Sequence, residues 1–222
     1  MNTKYISSQI IPIFVSYHNE NNHLLPYYSE NLKNNSMIGC RDLYTRDKFI
    51  KSGIEAYFSS CLTTTLDIDY RIPENKRTNN IIFVDYQFGD YPKADKFLNS
   101  LKKYNFSNIL HTNHKFNISL SHIERLKLAK KLLSMYSRAK LIVTTRIHGA
   151  LPCLAFNTPV ILINSIYDYK RYPGLYELLN TIGINSKNNF EIKVNIDNKG
   201  YIYNSKKYLK FSNELKKKLN EI

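Results

Sequence analysis

Residues 139–163 of this chain read AKLIVTTRIHGALPCLAFNTPVILI. The apolar, β-branched run Leu141–Thr145 predicts a buried strand, and Ala150–Phe156 predicts a short helix rich in alanine and leucine. A second apolar run, Thr158–Ile163, predicts the next strand. A strand, a helix and a strand in this order are typical of a βαβ unit, so the stretch indicates an α/β fold with a parallel sheet.

The segments before this stretch continue the same alternation. The patterns predict strand Ile81–Asp85, helix Ala94–Lys103, strand Asn108–His111 and helix Ser121–Tyr136. The last helix opens with a capping box, Ser121-His-Ile-Glu124, and its apolar positions recur at helical spacing, which predicts one buried face. The predicted members of that face are Ile123, Leu126, Ala129, Leu133 and Tyr136.

The N-terminal third predicts a smaller α/β segment. Its predicted strands and helices are Ile10–Tyr17, Leu24–Lys33, Met37–Cys40, Leu43–Ser52 and Glu55–Ser59. The polar stretch 71–80 that follows has the composition of a linker. We therefore expect a partial Rossmann-like domain over residues 1–70 and a second Rossmann-like domain over residues 71–204.

The C-terminal residues 205–222 predict an amphipathic helix. Their apolar residues recur roughly at helical spacing, and six lysines lie among the remaining positions. The predicted apolar face consists of Leu209, Phe211, Leu215 and Leu219. The lysine face is interpreted as a solvated surface, with contact to nucleic acid or a membrane as the alternative.

The chain is strongly basic. Its 222 residues contain 32 Lys and Arg against 18 Asp and Glu, which gives a formal net charge of +14. This excess favours an anionic ligand, but it does not choose among phosphate metabolites, nucleic acid and acidic glycans. No basic motif interleaved with aromatic residues supports nucleic acid, so we expect no nucleic-acid partner.

The sequence also bears on the compartment. No apolar run approaches the roughly 18–20 residues of a membrane-spanning helix, and the N-terminus lacks the basic-then-apolar order of a signal peptide. The three cysteines, Cys40, Cys61 and Cys153, are spaced neither as a disulfide framework nor as a CxxC metal pair. We therefore expect a reducing, cytoplasmic compartment.

The Arg146-Ile-His-Gly149 turn is the first candidate site. It lies between a predicted strand and a helix, where ligands of open parallel sheets bind and where helix N-termini favour anions. Arg146 offers a planar, permanently charged group for a carboxylate or phosphate, and His148 can move a proton near neutral pH. Gly149 would let a ligand approach the backbone closely. Alternatively, Arg146 pairs with an interior carboxylate and His148 merely caps the helix.

Other constellations carry a weaker signal. Arg41 and Asp42 also follow a predicted strand and precede a helix, although such a pair is ordinary at a helix start. His111 and His114 have HxxH spacing, but no third ligand is evident, so we expect no metal site. The sequence contains no GxGxxG, Walker A or GxSxG motif.

Four stretches together resemble the polysaccharide pyruvyl transferase family. They are Ile38–Asp42 (IGCRD), Gly53–Leu66 (GIEAYFSSCLTTTL), Ala139–Ile163 and Arg171–Leu179 (RYPGLYELL). The resemblance covers about Ile11 to Leu179. It implies a GT-B-like fold of two Rossmann-like halves, of which the N-terminal half is incomplete here because the resemblance begins almost at Met1.

The resemblance also implies a reaction and roles for named residues. Members of the family transfer the enolpyruvyl group of phosphoenolpyruvate to two hydroxyls of one sugar, which gives a pyruvate ketal and phosphate. Arg146 and His148 match the Arg-x-His pair that binds phosphoenolpyruvate, and Arg41 matches the arginine of a Gly-x-Arg-Asp motif. Arg171 and Tyr172 follow the next predicted strand and rank as secondary substrate contacts. The scheme requires no metal and no redox cofactor.

Two other readings stay open. An incomplete first half is also expected in a non-catalytic remnant, or in a chain that depends on a partner or a second copy to cover its exposed sheet edge. A GT-B glycosyltransferase that uses a nucleotide-sugar is the second alternative, but neither an acidic ribose-binding position nor a Gly-rich diphosphate loop is evident. The acceptor sugar cannot be inferred from these residues.

Overall fold

The protein has a mixed α/β fold with mainly parallel sheets. The computed structural model describes residues 13–19, 37–116 and 119–220. Among these residues no helix is both long and apolar enough to cross a bilayer, and no three His, Cys, Asp or Glu side chains are grouped to hold a metal ion. The three cysteine thiols are buried and form no disulfide.

The chain divides into two compact units. The central unit consists of Thr63–Tyr167 and Leu179–Lys206. The N-terminal unit consists of the described residues up to Leu62, Asp168–Leu178 and the chain from Lys207 onward. The domain limits at residues 70 and 204 stay predictions.

A parallel two-stranded sheet and its connecting helix form the start of the N-terminal unit. β1 (Ile38–Cys40) pairs with β2 (Ala56–Phe58), and α1 (Leu43–Lys51) connects them. Asp42 caps α1 because its carboxylate accepts the backbone N–H of Thr45 at 2.8 Å. These three elements confirm the predicted ones to within one residue at each end.

Two further predictions reach beyond the described residues. Helix Leu24–Lys33 lies outside them entirely, and strand Ile10–Tyr17 lies outside them in part. Tyr17, at the end of that predicted strand, forms a parallel bridge with Cys40 of β1. Residues 13–16 form no strand, and Ser16 has φ of +55°, so the described part of this predicted strand is wrong except for the bridge at Tyr17.

The central unit contains a six-stranded sheet in the order β4-β3-β5-β6-β7-β8. All neighbouring pairs are parallel except β7 and β8, which are antiparallel. The strands are β3 (Ile81–Val84), β4 (Ile109–Thr112), β5 (Leu141–Thr144), β6 (Val160–Asn164), β7 (Asn180–Ile184) and β8 (Phe190–Lys193). β3, β5 and β6 are completely buried, as expected of central parallel strands covered on both faces.

Four helices belong to the same unit. They are α2 (Asp67–Tyr70), α3 (Pro92–Ser100), α4 (His122–Arg138) and α5 (Ile147–Ala155). The predicted capping box at the start of α4 is confirmed, since Ser121 and Glu124 each bind the other's backbone N–H. The predicted face of α4 is wrong in its first half. Ile123 and Leu126 are 68% and 57% exposed, whereas Tyr136 is buried, because only the second half of the helix packs into the unit.

α5 begins three residues earlier than predicted. Arg146 has extended backbone and caps the helix, and its carbonyl oxygen accepts the N–H groups of Gly149 and Ala150. His148 and Gly149 therefore lie in the first helical turn rather than in a loop before it.

The C-terminal helix α6 (Tyr208–Asn220) belongs to the N-terminal unit. Leu215 is buried, and the ring of Phe211 packs at 4.8 Å from the ring of Phe58, measured between centroids. Leu209 and Leu219 are 36% and 38% exposed, so the predicted apolar face is wrong at these two positions. Tyr208 and Ser212 are buried in their place because the helix is rotated relative to the predicted orientation.

Candidate anion site at the carboxyl end of the central sheet

The candidate site lies where the strand order of the central sheet reverses. β4 lies on one side of β3, and β5 lies on the other side. The connections that leave β3 and β5 therefore run towards opposite edges of the sheet. In open parallel sheets ligands bind beyond the carboxyl ends of the strands at such a switch point. Asp85 directly follows β3 and Arg146 follows β5, so both residues lie at this position.

Arg146 is held at its backbone and at its side chain. Its N–H donates to Thr144 Oγ1 at 3.0 Å, and its Nε donates to Asp85 Oδ2 at 3.0 Å. The Arg146 side chain is nevertheless 53% exposed, while that of Asp85 is only 10% exposed. A guanidinium has five N–H donors, so this geometry fixes its orientation and leaves donors accessible to an anionic ligand.

Asp85 is the side-chain partner of Arg146, and the sequence did not single it out. Its backbone has φ of +51°, a left-handed conformation that aspartate tolerates better than most residues. Oδ2 accepts the His114 backbone N–H at 3.2 Å as well as Arg146 Nε, and the Asp85 carbonyl accepts Thr145 Oγ1 at 2.8 Å. Its only sequence signal was its position as the last residue of a predicted strand.

His148 and Gly149 occupy the first turn of α5, as the helix boundary requires. His148 is exposed, whereas Gly149 is buried. A methyl group on Gly149 would lie 3.0 Å from Thr144 Oγ1 and 3.5 Å from His114 Cε1. A side chain here would require Thr144 to shift by a few tenths of an ångström, and ligand approach to the Gly149 backbone stays a prediction.

A second histidine lies behind this turn. His114 Nε2 is 2.8 Å from the Tyr136 hydroxyl oxygen. Burial lowers the pKa of His114; Asp85 acts against this shift and Arg146 adds to it. Burial also raises the pKa of Tyr136. His114 and Tyr136 therefore form an uncharged, hydrogen-bonded pair at neutral pH. In this pair Nε2 of His114 contacts the tyrosine hydroxyl.

Arg41 lies in the N-terminal unit within a cluster of charged groups. Asp42 is fully buried, and its Oδ2 lies 2.6 Å from His18 Nδ1 and 3.6 Å from Arg41 Nε. The Arg41 side chain is 12% exposed. His18 was missed by the sequence analysis, although it follows a predicted strand by one residue, as Arg146 does.

Arg171 is also part of the N-terminal unit. Its Nε lies 3.6 Å from Asp168 Oδ2, and its side chain is 54% exposed. The structure thus brings Arg146, His148 and Gly149 together at one helix N-terminus, while Arg41 and Arg171 belong to the other unit.

The comparisons with known proteins address the family directly. A family model described as polysaccharide pyruvyl transferase matches residues 9–166. No curated protein matches the chain, and no solved structure does. The matched residues include Arg41, Arg146, His148 and Gly149, whereas Arg171 lies beyond them.

Proposed function

Because the chain belongs to the polysaccharide pyruvyl transferase family, we propose that it transfers the enolpyruvyl group of phosphoenolpyruvate to two hydroxyls of one sugar in a glycan. The products are a pyruvate ketal and phosphate. The observation that carries this proposal is the oriented Arg146 guanidinium at a helix N-terminus on the switch point of the sheet, two residues before His148. We further propose that each unit is one Rossmann-like half of a GT-B-like fold.

The proposed donor site uses three features of this chain. Arg146 binds the phosphate or carboxylate of phosphoenolpyruvate through the N–H donors that Asp85 does not occupy. The partial positive charge at the start of α5 stabilises the same anion. Asp85 is itself an anion and weakens the attraction, so its contribution is to orient the Arg146 side chain and not to raise the local positive potential.

The proposed reaction uses His148, Arg146 and the two sugar hydroxyls. His148 donates a proton to C3 of phosphoenolpyruvate, which turns its methylene into a methyl group, while the first sugar hydroxyl oxygen bonds to C2. The proton of that hydroxyl passes to the imidazole that the first transfer leaves neutral, so His148 regains the proton it gave. The C2–O bond to phosphate then breaks with both electrons going to phosphate, which Arg146 stabilises. The second sugar hydroxyl oxygen bonds to C2, and its proton leaves with the phosphate.

The resemblance assigns substrate contacts in the N-terminal unit as well. We propose Arg41 as a further ligand of the anionic donor, and Arg171 as a secondary one. The proposal is stronger for Arg41 than for Arg171, because Arg41 lies within the matched residues and its side chain is held next to the buried Asp42.

Calorimetric titration of the full chain with phosphoenolpyruvate tests the proposal. We expect Arg146→Ala and His148→Ala each to weaken binding by at least about tenfold, since a hydrogen bond to a charged group contributes about 1.5–3 kcal/mol. Arg138→Ala and His122→Ala are matched controls, because both side chains are exposed on α4. We expect the controls to bind as the wild type does.

Phosphate release in the presence of candidate sugars then tests turnover. A folded wild-type protein that does not bind phosphoenolpyruvate would refute the proposal. Binding of a nucleotide-sugar in its place, lost in Arg146→Ala, would favour the glycosyltransferase alternative.

A further inference from the structure

The central unit contains a cavity of about 320 Å³ next to the proposed donor site. It is lined by α4, by α5, by the segment after β4 and by Thr63 and Leu66 ahead of α2. We propose that this cavity binds an uncharged apolar group carried by the sugar acceptor, such as an aryl or alkyl group on its anomeric carbon. This inference rests on the proposed function and adds a substrate class to it.

The walls of the cavity are aliphatic. Leu128, Leu132 and Leu133 contribute from α4, and Pro152 contributes from α5. Small-molecule sites span about 300–1,000 Å³ and are lined mainly by apolar side chains with a few polar groups. Removing apolar ligand surface from water is favourable against such walls.

The polar groups at the cavity include a hydrogen-bonded histidine and tyrosine, an arginine, an asparagine and a threonine. His114 and Tyr136 are bonded to each other, and burial shifts the pKa of each towards its uncharged form. The Arg125 guanidinium is also part of the lining; its Nε donates to the Leu120 carbonyl at 2.9 Å and it lies 5.3 Å from the centre of the Phe116 ring. Its remaining N–H donors can bind an oxygen of the occupant, while the leucine and proline side chains contact the apolar group.

His148 connects the cavity to the donor site. Its imidazole lines the cavity, and it lies two residues after Arg146 in the first turn of α5. A molecule whose apolar group fills the cavity would therefore present its adjoining part at His148. This continuity identifies the occupant as the acceptor and not as an unrelated ligand.

Ala129→Trp is the variant that tests the cavity. Ala129 lines the cavity but is exposed, so a larger side chain can fill the space without displacing the core. Lys130→Trp is the matched control, because Lys130 is an exposed neighbour on the same helix. The chain contains no tryptophan, so the fluorescence of each variant reports on the introduced side chain alone. We expect blue-shifted emission from the Ala129→Trp variant and not from Lys130→Trp.

The probes are 4-nitrophenyl and methyl glycosides of galactose, glucose, mannose and N-acetylglucosamine, with binding measured by saturation-transfer NMR. We expect at least one 4-nitrophenyl glycoside to bind the wild type about tenfold or more tighter than its methyl counterpart, as burial of an aromatic ring provides. Ala129→Trp should abolish this preference and Lys130→Trp should retain it.

Separate titrations with phosphoenolpyruvate distinguish the two proposals. If phosphoenolpyruvate binds but the aryl and methyl glycosides bind equally or not at all, the cavity assignment is overturned and the donor site stands. The same conclusion follows if the preference persists in an Ala129→Trp protein whose fluorescence shows a buried indole. Aryl preference without phosphoenolpyruvate binding would overturn the proposed function, and with it the identification of the occupant as an acceptor.

Discussion

Asp85 supports the candidate site in three ways that can be separated by two substitutions. Its carboxylate pairs with Arg146 Nε, it accepts the His114 N–H, and its backbone is left-handed. Asp85→Asn removes the charge but keeps an oxygen that can accept from His114, and asparagine tolerates positive φ. Asp85→Ala removes all three contributions.

The expected losses of stability follow from the exposure of the ion pair and from the backbone conformation of Asp85. Because Arg146 is 53% exposed, its ion pair with Asp85 should contribute only about 0.2–1 kcal/mol. We therefore expect Asp85→Asn to lower the free energy of unfolding by about 0.5 kcal/mol. Asp85→Ala adds about 1 kcal/mol for the lost acceptor of the His114 N–H and about 1 kcal/mol for backbone strain at φ +51°.

Urea denaturation followed by circular dichroism measures these differences through the midpoint at constant m-value. A double-mutant cycle with Arg146→Ala isolates the ion pair, and its coupling energy should be about 0.2–1 kcal/mol. Asp85→Asn and Asp85→Ala variants of equal stability would refute the assigned roles of the backbone conformation and the His114 contact. A coupling energy of zero would refute the ion pair.

The remaining predictions concern a buried histidine and a glycine. Since burial lowers the pKa of His114 from its ordinary value of 6.5, the unfolded chain binds its proton more readily, and the free energy of unfolding should fall as the pH drops below 6.5. His114→Gln should remove this part of the pH dependence, and an unchanged profile would contradict the shift. Gly174 has φ of +83°, and a methyl group there would lie 2.8 Å from Phe58 and 2.9 Å from Leu43, so Gly174→Ala should cost about 2–4 kcal/mol. Gly89→Ala, at φ +101° with no atom within 4 Å, should cost only about 1 kcal/mol, and equal losses would show that packing is irrelevant at Gly174.

The central strands could be predicted because each one is a short apolar run that can be recognised from its own residues. β3, β5 and β6 are continuous runs of buried residues, and α4 begins at a capping box that needs only four residues. β7 and β8 carry no such signal. The sequence of β7 is NTIGI, and its buried Asn180 becomes acceptable only because Nδ2 donates to the carbonyls of Val160 and Tyr203. Those partners are 20 and 23 residues away in the chain.

The candidate site likewise contains residues that could be predicted from contiguous sequence and residues that could not. Arg146 and His148 were predictable because the strand, the turn and the helix are contiguous in sequence. Asp85 was not, since an aspartate after a strand is ordinary until the strand order makes it the neighbour of Arg146. His18 was missed for a similar reason, because its importance comes from contact with the buried Asp42, 24 residues away.

The net charge of +14 explains little of how this site would select its ligand. At the switch point the most oriented cation, Arg146, is paired with Asp85, so the pair contributes no net charge. The direction of this arginine is fixed by Asp85, which directly follows β3 and lies 61 residues away in the chain. A diffuse positive field would attract many anions and is weakened by salt, whereas a fixed guanidinium favours small, planar anions of defined geometry. If orientation determines selectivity, Asp85→Asn should reduce the discrimination between phosphoenolpyruvate and inorganic phosphate even though it makes the site more positive.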